Sequence, residues 1–353
     1  MMELRAARRS ERDEVLDLLE LWYHDREFFA RYNQNDPKFR DELCLIARDG
    51  RALVATVQIF DRAVRLDGQA TPMGGIGSVF TRADYRHQGV ASALMRMAVD
   101  TLEREQFEVS LLFAERLTFY KQFGWREIGR KFSVLANAAA LRAPGDCEID
   151  IFDPARDLDA IASIHRDYTG RFNISAARDA ADWRGNLTFA GNQPSEGCAE
   201  YFIIARSRSG PGAYARVTRF YGVTMVMEYG YRDGMEGGLV TLFQHLGEAV
   251  TGARCSHHLQ GDHRRAAMLA DGAGASAPAR VLVTHTAHDK AFEGRLRAAG
   301  APVTYHHDNN YMWRIISAEK LGRRFGFPPD RAAARAFELF ASDNSLFWSA
   351  DRF

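Results

Sequence analysis

The chain has 353 residues, of which 46% are hydrophobic and 26% are charged. This length exceeds two domains of about 150 residues by a few tens of residues, and the composition is ordinary for a globular protein with buried cores. The 46 basic and 46 acidic residues cancel. No bulk charge therefore attracts the chain to nucleic acid or to an anionic membrane, and neither is an expected partner.

The start of the chain and its cysteines indicate the compartment. The first residues have no apolar core of the secretory type, and no stretch approaches the 18 apolar residues of a membrane span. The four cysteines are widely separated, with no CxxC pair: Cys44, Cys147, Cys198 and Cys255. Neither a disulfide framework nor a zinc site is expected, and we predict a cytoplasmic protein.

Strands and helices alternate in the predicted structure of residues 1–140. The Asp-Gly pairs at residues 49–50 and 67–68 indicate hairpin turns. One apolar face with helical spacing predicts the helix Val90–Arg104, and Gly124 ends a shorter helix. The predicted elements are Met2–Ala6, a helix through Val15–Trp22, a short helix Arg26–Tyr32, strands Leu43–Ala47, Leu53–Phe60, Val64–Leu66 and Ile76–Phe80, helix Val90–Arg104, strand Val109–Ala114, helix Leu117–Phe123 and strand Trp125–Leu135.

A similar order of elements recurs over residues 147–316, after a linker near Pro144. This repetition is evidence for a duplicated domain. The elements that carry it are strands Glu148–Phe152, Tyr201–Arg206, Tyr214–Val217, Thr224–Tyr231, Val281–Thr284 and Tyr311–Ile316, with helices Asp157–Tyr168, Leu239–Val250 and Ala291–Ala299. The remainder, 317–353, has a predicted helix after Pro328 and five large aromatic residues near its end, Phe337, Phe340, Phe347, Trp348 and Phe353. Their density predicts that this tail docks on the protein.

The strongest chemical signal is the turn Arg86–Ala91, between the strand Ile76–Phe80 and the helix that follows. Backbone N–H groups at the start of a helix point outward, and the helix dipole favours negative charge there. Gly89 lets the backbone approach a phosphate with no Cβ in the way. Alone, the pattern also fits an ordinary corner between a strand and a helix. The glycines of Gly74–Gly77 lack the spacing of a dinucleotide site.

This turn resembles the acetyl-CoA motif of the GNAT superfamily of N-acetyltransferases, through Arg86, Gly89 and Ala91. The segment Phe119–Trp125 is similar to a second motif of that superfamily, one strand later. The resemblance covers residues 1 to about 136. It implies an α/β fold with mixed sheets: a catalytic GNAT domain over 1–140, a degenerate second GNAT-like domain over 147–316 and a short extension over 317–353.

The resemblance also implies a pose for acetyl-CoA, the expected co-substrate. The pyrophosphate would lie on the amides of residues 88–92, and the pantetheine arm would pair with the backbone of residues 79–81, as an added strand does. His87 is as well explained by a solvated surface histidine as by a phosphate contact. The implied cofactor-binding residues are Val79, Phe80, Thr81, Arg86, His87, Gln88, Gly89, Val90, Ala91 and Ser92.

Two proton transfers accompany attack of an amine on a thioester. Tyr120 occupies the superfamily's position for the general acid that protonates the CoA thiolate. The base stays open, because the strand Gly74–Thr81 carries no Glu. Glu115 is one candidate. The tandem plan resembles the enhanced intracellular survival protein family, whose terminal carboxylate serves as the base, and this makes Phe353 another. A tail of 37 residues is too short for that family's third domain.

The second copy is predicted to be inactive, because Gly234 stands opposite Arg86 and Leu296 opposite Tyr120 when the copies are aligned. No metal is expected, and histidines such as His285 and His288 are expected on the surface or in loops. The sequence thus predicts an acetyl-CoA-dependent N-acetyltransferase acting on an amine of a small molecule or a peptide. The alternative is an acyl-CoA sensor without acceptor chemistry. Whether the protein forms a homo-oligomer is left open.

Overall fold

The protein is described by a computed structural model for residues 2–144, 147–189, 201–220, 223–248 and 281–351. The strands are β1 Met2–Ala6, β2 Cys44–Asp49, β3 Ala52–Leu66, β4 Gln69–Thr81, β5 Val109–Phe113, β6 Arg126–Glu127, β7 Arg130–Ala136, β8 Glu148–Ile151, β9 Ile174–Ala176, β10 Tyr201–Ser207, β11 Gly210–Phe220, β12 Val223–Tyr231, β13 Val281–Thr284, β14 Val303–Asp308 and β15 Tyr311–Ile315. The helices are α1 Arg12–Tyr23, α2 Arg26–Asn35, α3 Val90–Arg104, α4 Leu117–Lys121, α5 Pro154–Thr169, α6 Ala180–Phe189, α7 Glu236–Glu248, α8 Lys290–Ala298, α9 Ala318–Phe325 and α10 Pro329–Ala341.

Two mixed sheets organise these elements. The first has the order β1-β2-β3-β4-β5-β15-β6, with β9 beside the far end of β3. The second has the order β14-β7-β13-β12-β11-β10-β8. Each sheet contains one parallel pair at its centre, β4 with β5 and β12 with β13. The predicted α/β class with mixed sheets is confirmed. Among the described residues, no helix combines the length and apolar character needed to span a bilayer.

The two sheets exchange a strand. Residues 125–135, predicted as one strand of the first unit, divide into β6 in the first sheet and β7 in the second. In return β15, predicted to close the second unit, lies in the first sheet between β5 and β6, with Trp313 opposite Leu111. The predicted boundaries 1–140 and 147–316 therefore do not follow the sheets. Alternating burial identifies a strand, but it does not identify the sheet that receives it.

Helices cover both faces of the first sheet. The apolar stripe of α3, including Leu94 and Leu102, packs on one face in a core shared with Val57 and Leu112. On the opposite face, α1 packs against a cluster that contains Phe80 of β4. This second contact fixes α1 above the end of the strand that leads into the turn Arg86–Ala91. We call this turn the phosphate loop, after the ligand predicted for it.

The tail docks across both units. It forms two helices rather than the single helix predicted. Phe340 stacks on Trp313 with ring centroids 4.2 Å apart. Phe347 enters the aromatic cluster of the first sheet, and its neighbour Trp348 enters the core of the second. The predicted docking is therefore confirmed for these three aromatic residues, whereas Phe353 lies outside the described residues.

A buried ion triad secures the end of the described tail. The Arg178 guanidinium donates to Glu228 at 2.6 Å and to Asp351 at 2.6 Å. The exposed fractions of these three side chains are only 4%, 0% and 6%. Burial raises the pKa of Asp351 to about 6, with Arg178 opposing the rise. Burial also opposes ionisation of Glu228, but Arg178 outweighs it and lowers the pKa of Glu228 to about 2.

Candidate active site

The central parallel strands of the first sheet separate toward their carboxyl ends. Pairing between β4 and β5 runs from Met73–Val109 to Ile76–Leu112 and stops there. Strand β4 continues to Thr81, and β3 pairs with its other edge as far as that end, with Ala55 opposite Thr81. Among the described strands, none pairs with residues 77–81 on the β5 side. This segment therefore offers backbone groups to an extended ligand, in the manner of strand addition.

A bulge shapes that free segment. The register of β3 against β4 shifts between Thr56 and Gln58, and Ser78 adopts φ 49°. A bulge adds a residue to one strand and re-aims the side chains beyond it. Past the bulge Phe80 is buried, whereas Val79 is only partly buried.

The turn after β4 leads into α3 through a left-handed glycine. Gly89 is the N-cap of α3 with φ 80°, and a Cβ built on it would meet no atom within 4 Å. Within the described structure no side chain caps this helix. Its first N–H groups, at Val90, Ala91 and Ser92, have no partner inside the helix. The arrangement suits a phosphate group.

Some side chains of the turn form hydrogen bonds that hold it in place, and others are exposed to solvent. Arg86 Nε donates to the Thr81 carbonyl at 3.2 Å, which ties the turn to the end of β4. The Arg86 guanidinium also lies 5.6 Å from the centre of the Trp22 ring. Gln88 donates to the Asp84 carbonyl at 2.8 Å, and His87 is exposed with φ 62°. The predicted segments 79–81 and 86–92 thus lie at one end of β4.

Tyr120 lies on the short helix α4, which follows β5. Its ring meets Phe119 edge-on, with centroids 5.0 Å apart, and packs on the core beneath α3. Burial raises the pKa of Tyr120 well above its usual value of about 10, with Tyr23 adding to the rise and Arg116 opposing it. The phenol therefore keeps its proton at neutral pH. An acid that must donate a proton late in a reaction needs this property.

The structure describes one of the two candidate bases. Glu115 is exposed, two residues beyond the end of β5 and five before Tyr120. Phe353 lies outside the described residues, two positions beyond the buried Asp351. The described residues contain no group of three or more His, Cys, Asp or Glu side chains that could hold a metal.

The second unit has a related separation of strands, but its own side chains fill the space. Pairing of β12 with β13 ends at Met225–Val283, and β12 continues to Tyr231. Tyr231 and Tyr168 both donate to Asp289, at 2.9 and 2.6 Å. The ring of Trp348 from the tail packs 4.7 Å from that of Tyr229.

Sequence reasoning missed this cluster. Asp289 could have been recognised as a helix cap, which it is for α8. His285 and His288 lie in a loop, which fits the expectation of surface or loop positions, but both are buried. The groups packed around His288 include Tyr168 of α5 and Trp348 of the tail, and both are distant in sequence.

The loop before α7 also differs in charge from the loop before α3. Helix α7 begins at Glu236, and Asp233 precedes it. Gly237, aligned with Gly89, lies inside the helix against Pro144, while Gly234 takes the left-handed conformation. Carboxylates at a helix start oppose a phosphate in the same place. These features agree with the prediction that the second copy is inactive.

Comparisons with known proteins agree with this geometry. Residues 3–128 match the family model described as "Acetyltransferase (GNAT) domain". This part of the chain is therefore similar to GNAT acetyltransferase domains. The match includes β4, the phosphate loop, α3 and Tyr120. It ends at the point where β7 leaves for the second sheet. No curated protein matches the sequence.

Solved structures of GNAT proteins share the fold over most of the chain. A "probable N-acyltransferase" from Enterococcus faecalis has 16% identity and a TM-score of 0.65, over 90% of this chain and 72% of that one. A GCN5-related N-acetyltransferase from Anabaena variabilis has 14% identity and a TM-score of 0.65, over 91% and 74%. Eis1 from Mycobacterium abscessus has 13% identity and a TM-score of 0.57, over 91% and 75%. The predicted resemblance to the GNAT superfamily is confirmed, as is the resemblance to the tandem plan of the enhanced intracellular survival protein family.

Proposed function

We propose that this GNAT protein transfers the acetyl group of acetyl-CoA to an amine of a small molecule or a peptide. One observation carries the proposal: the N–H groups at the start of α3 and the unpaired edge of residues 77–81 lie at the end of β4, and Tyr120 packs on the same core as Val79. The pyrophosphate, the pantetheine arm and the thioester of acetyl-CoA would meet suitable partners in that order. Zero net charge does not favour any one class of amine.

In this proposal the chain's own groups have distinct tasks. The amides of residues 90–92 hold the pyrophosphate, and Arg86 adds positive charge beside them. The backbone of residues 79–81 orients the pantetheine arm as an added strand would. The Tyr120 hydroxyl donates its proton to the thiolate sulfur that leaves as the amine attacks. A base must take one proton from the amine, and Glu115 and the Phe353 carboxylate are the proposed candidates.

An acyl-CoA sensor is the competing function. Both proteins would bind acetyl-CoA, but a sensor would release no free CoA thiol when amines are added. The test is thiol release with a panel of aminoglycosides, polyamines and peptides, with the acetylated product identified by mass spectrometry. Amine-dependent release of thiol supports the transferase. Binding of acetyl-CoA with no product from any amine class would favour the sensor.

Gly89 offers a test of the phosphate loop. In Gly89→Ala a residue with a Cβ must adopt φ 80°, which costs about 1–2 kcal/mol. We expect the free energy of unfolding to fall by about that amount, and the acetyl-CoA Kd measured by calorimetry to rise about tenfold as the first amides of α3 shift. Gly68→Ala is the control, because Gly68 has φ 81° in a remote hairpin and equal open space. An equal rise in Kd for both variants would contradict the assignment.

Extension of the chain tests the Phe353 carboxylate. Adding two glycines after Phe353 moves the terminal carboxylate away while leaving every described contact of the tail in place. We expect kcat to fall about a hundredfold if this carboxylate is the base. Glu115→Gln is the parallel variant for the other candidate. A fully active extended enzyme would remove Phe353 from the mechanism, and a fully active Glu115→Gln enzyme would remove Glu115.

A further inference from the structure

The end of α1 and the start of α2 expose an unusual amount of apolar surface. We call residues 21–28 the α1–α2 elbow. The exposed fractions of its large apolar side chains are 60% for Leu21, 50% for Trp22 and 36% for Phe28. Isolated exposed apolar residues need no explanation, but several together indicate a contact surface. Helix α1 ends here at His24, which takes the left-handed conformation with φ 52°.

The elbow is held against the candidate active site at two points. At one, the Trp22 ring lies 5.6 Å from the Arg86 guanidinium in the phosphate loop. At the other, Tyr23 and Phe29 pack on the cluster that contains Phe80, the centre of the segment proposed to orient the pantetheine arm. Tyr23 is also near enough to Tyr120 to contribute to its raised pKa. Two consecutive residues of α1 thus lie beside the two ends of the proposed arm path.

We infer that the Trp22 indole forms one wall of that path and contacts the pantetheine arm of bound acetyl-CoA. This inference rests on the proposed function. The arm is uncharged and largely made of alkyl groups, so it can cover an apolar ring, whereas the nucleotide carries the phosphates that Arg86 and the α3 amides attract. The elbow contacts Arg86, at the phosphate end, through Trp22, and it contacts the cluster of Phe80, in the arm segment, through Tyr23. These two contacts together select the arm as occupant.

Arg26 of the elbow holds three carboxylates of α1 within the fold. Arg26 donates to Asp17 at 2.7 Å and to Asp13 at 2.8 Å, and its backbone N–H donates to Glu20 at 2.5 Å. A strongly cationic ligand would have to compete with Arg26 for these groups.

Intrinsic fluorescence gives a direct measurement, because Trp22 differs from the other tryptophans. The chain has five, and the other four are only 1–3% exposed: Trp125, Trp183, Trp313 and Trp348. Quenching by acrylamide therefore reports mainly on Trp22. We expect saturating acetyl-CoA to protect the fluorescence strongly. Adenosine bisphosphate, which carries the nucleotide without the arm, should bind and leave Trp22 accessible.

Variants measure the energetic contribution of the contact. In Trp22→Ala we expect the acetyl-CoA Kd to rise about tenfold, because the apolar area covered by the arm is lost. The adenosine bisphosphate Kd should stay unchanged. Trp22→Phe, which keeps an aromatic ring, should recover most of the affinity. Leu21→Ala is the control, because Leu21 is even more exposed but projects about 100° away around α1.

The outcomes separate this inference from the proposed function. Protection by acetyl-CoA but not by adenosine bisphosphate, with the affinity loss confined to Trp22, supports the wall. Acetyl-CoA that binds without protecting Trp22, or equal protection by both ligands, overturns the wall and leaves the transferase proposal standing. If acetyl-CoA does not bind to the intact protein at all, both ideas fail together.

Discussion

Replacing Tyr120 with Phe should lower kcat about 10²–10⁴-fold while leaving the acetyl-CoA Kd within about twofold. The variant removes one hydroxyl and keeps the ring that packs against Phe119. Without the phenol, the leaving thiolate must take its proton from water. Single-turnover rates of thiol release, together with calorimetric binding of acetyl-CoA, separate the chemical step from binding.

The direction of the Tyr120 pKa bears on this expectation. Burial raises it above the usual value of about 10, whereas a free thiol has a pKa of about 8.5, so complete transfer from phenol to thiolate is uphill. In the proposed mechanism the proton therefore moves as the C–S bond breaks, before a free thiolate has formed. The same burial keeps Tyr120 protonated, and activity should not fall near neutral pH through loss of this proton.

A second phenol provides the control for Tyr120→Phe. Tyr85 lies before the phosphate loop, and its hydroxyl donates to Asp49 at 3.3 Å on the surface. Tyr85→Phe removes one hydroxyl of the same kind, and we expect an unchanged kcat. If Tyr120→Phe turned over at the rate of the parent enzyme, Tyr120 would have no role as the acid, and its position would be explained by packing alone.

Most helices and turns of the first unit could be predicted from local sequence patterns. The helix Val90–Arg104 was predicted with the bounds that the structure gives, because its apolar stripe and the preceding glycine act over neighbouring residues. The turn around Arg86 and the short helix with Tyr120 were predictable for the same reason. The family match over residues 3–128 covers the same stretch.

The other elements are placed by contacts between residues that are distant in sequence, and the sequence could not predict these contacts. The pattern of β7 marks a strand, yet nothing within 130–136 indicates that it inserts between β13 and β14. The two tyrosines that close the second cleft meet Asp289 from 121 and 58 residues away. Arg178 joins partners 50 and 173 residues away. Sequence spacing carries no information on such meetings, which depend on how the completed sheets pack.

The triad of Arg178, Glu228 and Asp351 should therefore dominate the stability of the docked tail. Arg178→Met keeps the length of the side chain and removes the charge. It leaves two buried carboxylates without their partner, and removing one member of a buried ion pair costs about 3–5 kcal/mol. We expect a loss of that size in the free energy of unfolding, measured with urea at pH 8. Arg171→Met is the control. Its ion pair with Asp233 is exposed and should contribute little.

The sign of the pH dependence distinguishes lost charge from lost packing. Without Arg178, burial raises the pKa values of Glu228 and Asp351 in the folded state above their unfolded values. A carboxyl with a raised folded pKa takes up a proton on folding, so stability increases as the pH falls through that pKa. In the parent protein the pKa of Asp351 is already about 6. The defect of Arg178→Met should thus be larger at pH 8 than at pH 5. A defect independent of pH would mean that the guanidinium acts through packing on Trp183, whose ring it faces at 4.7 Å.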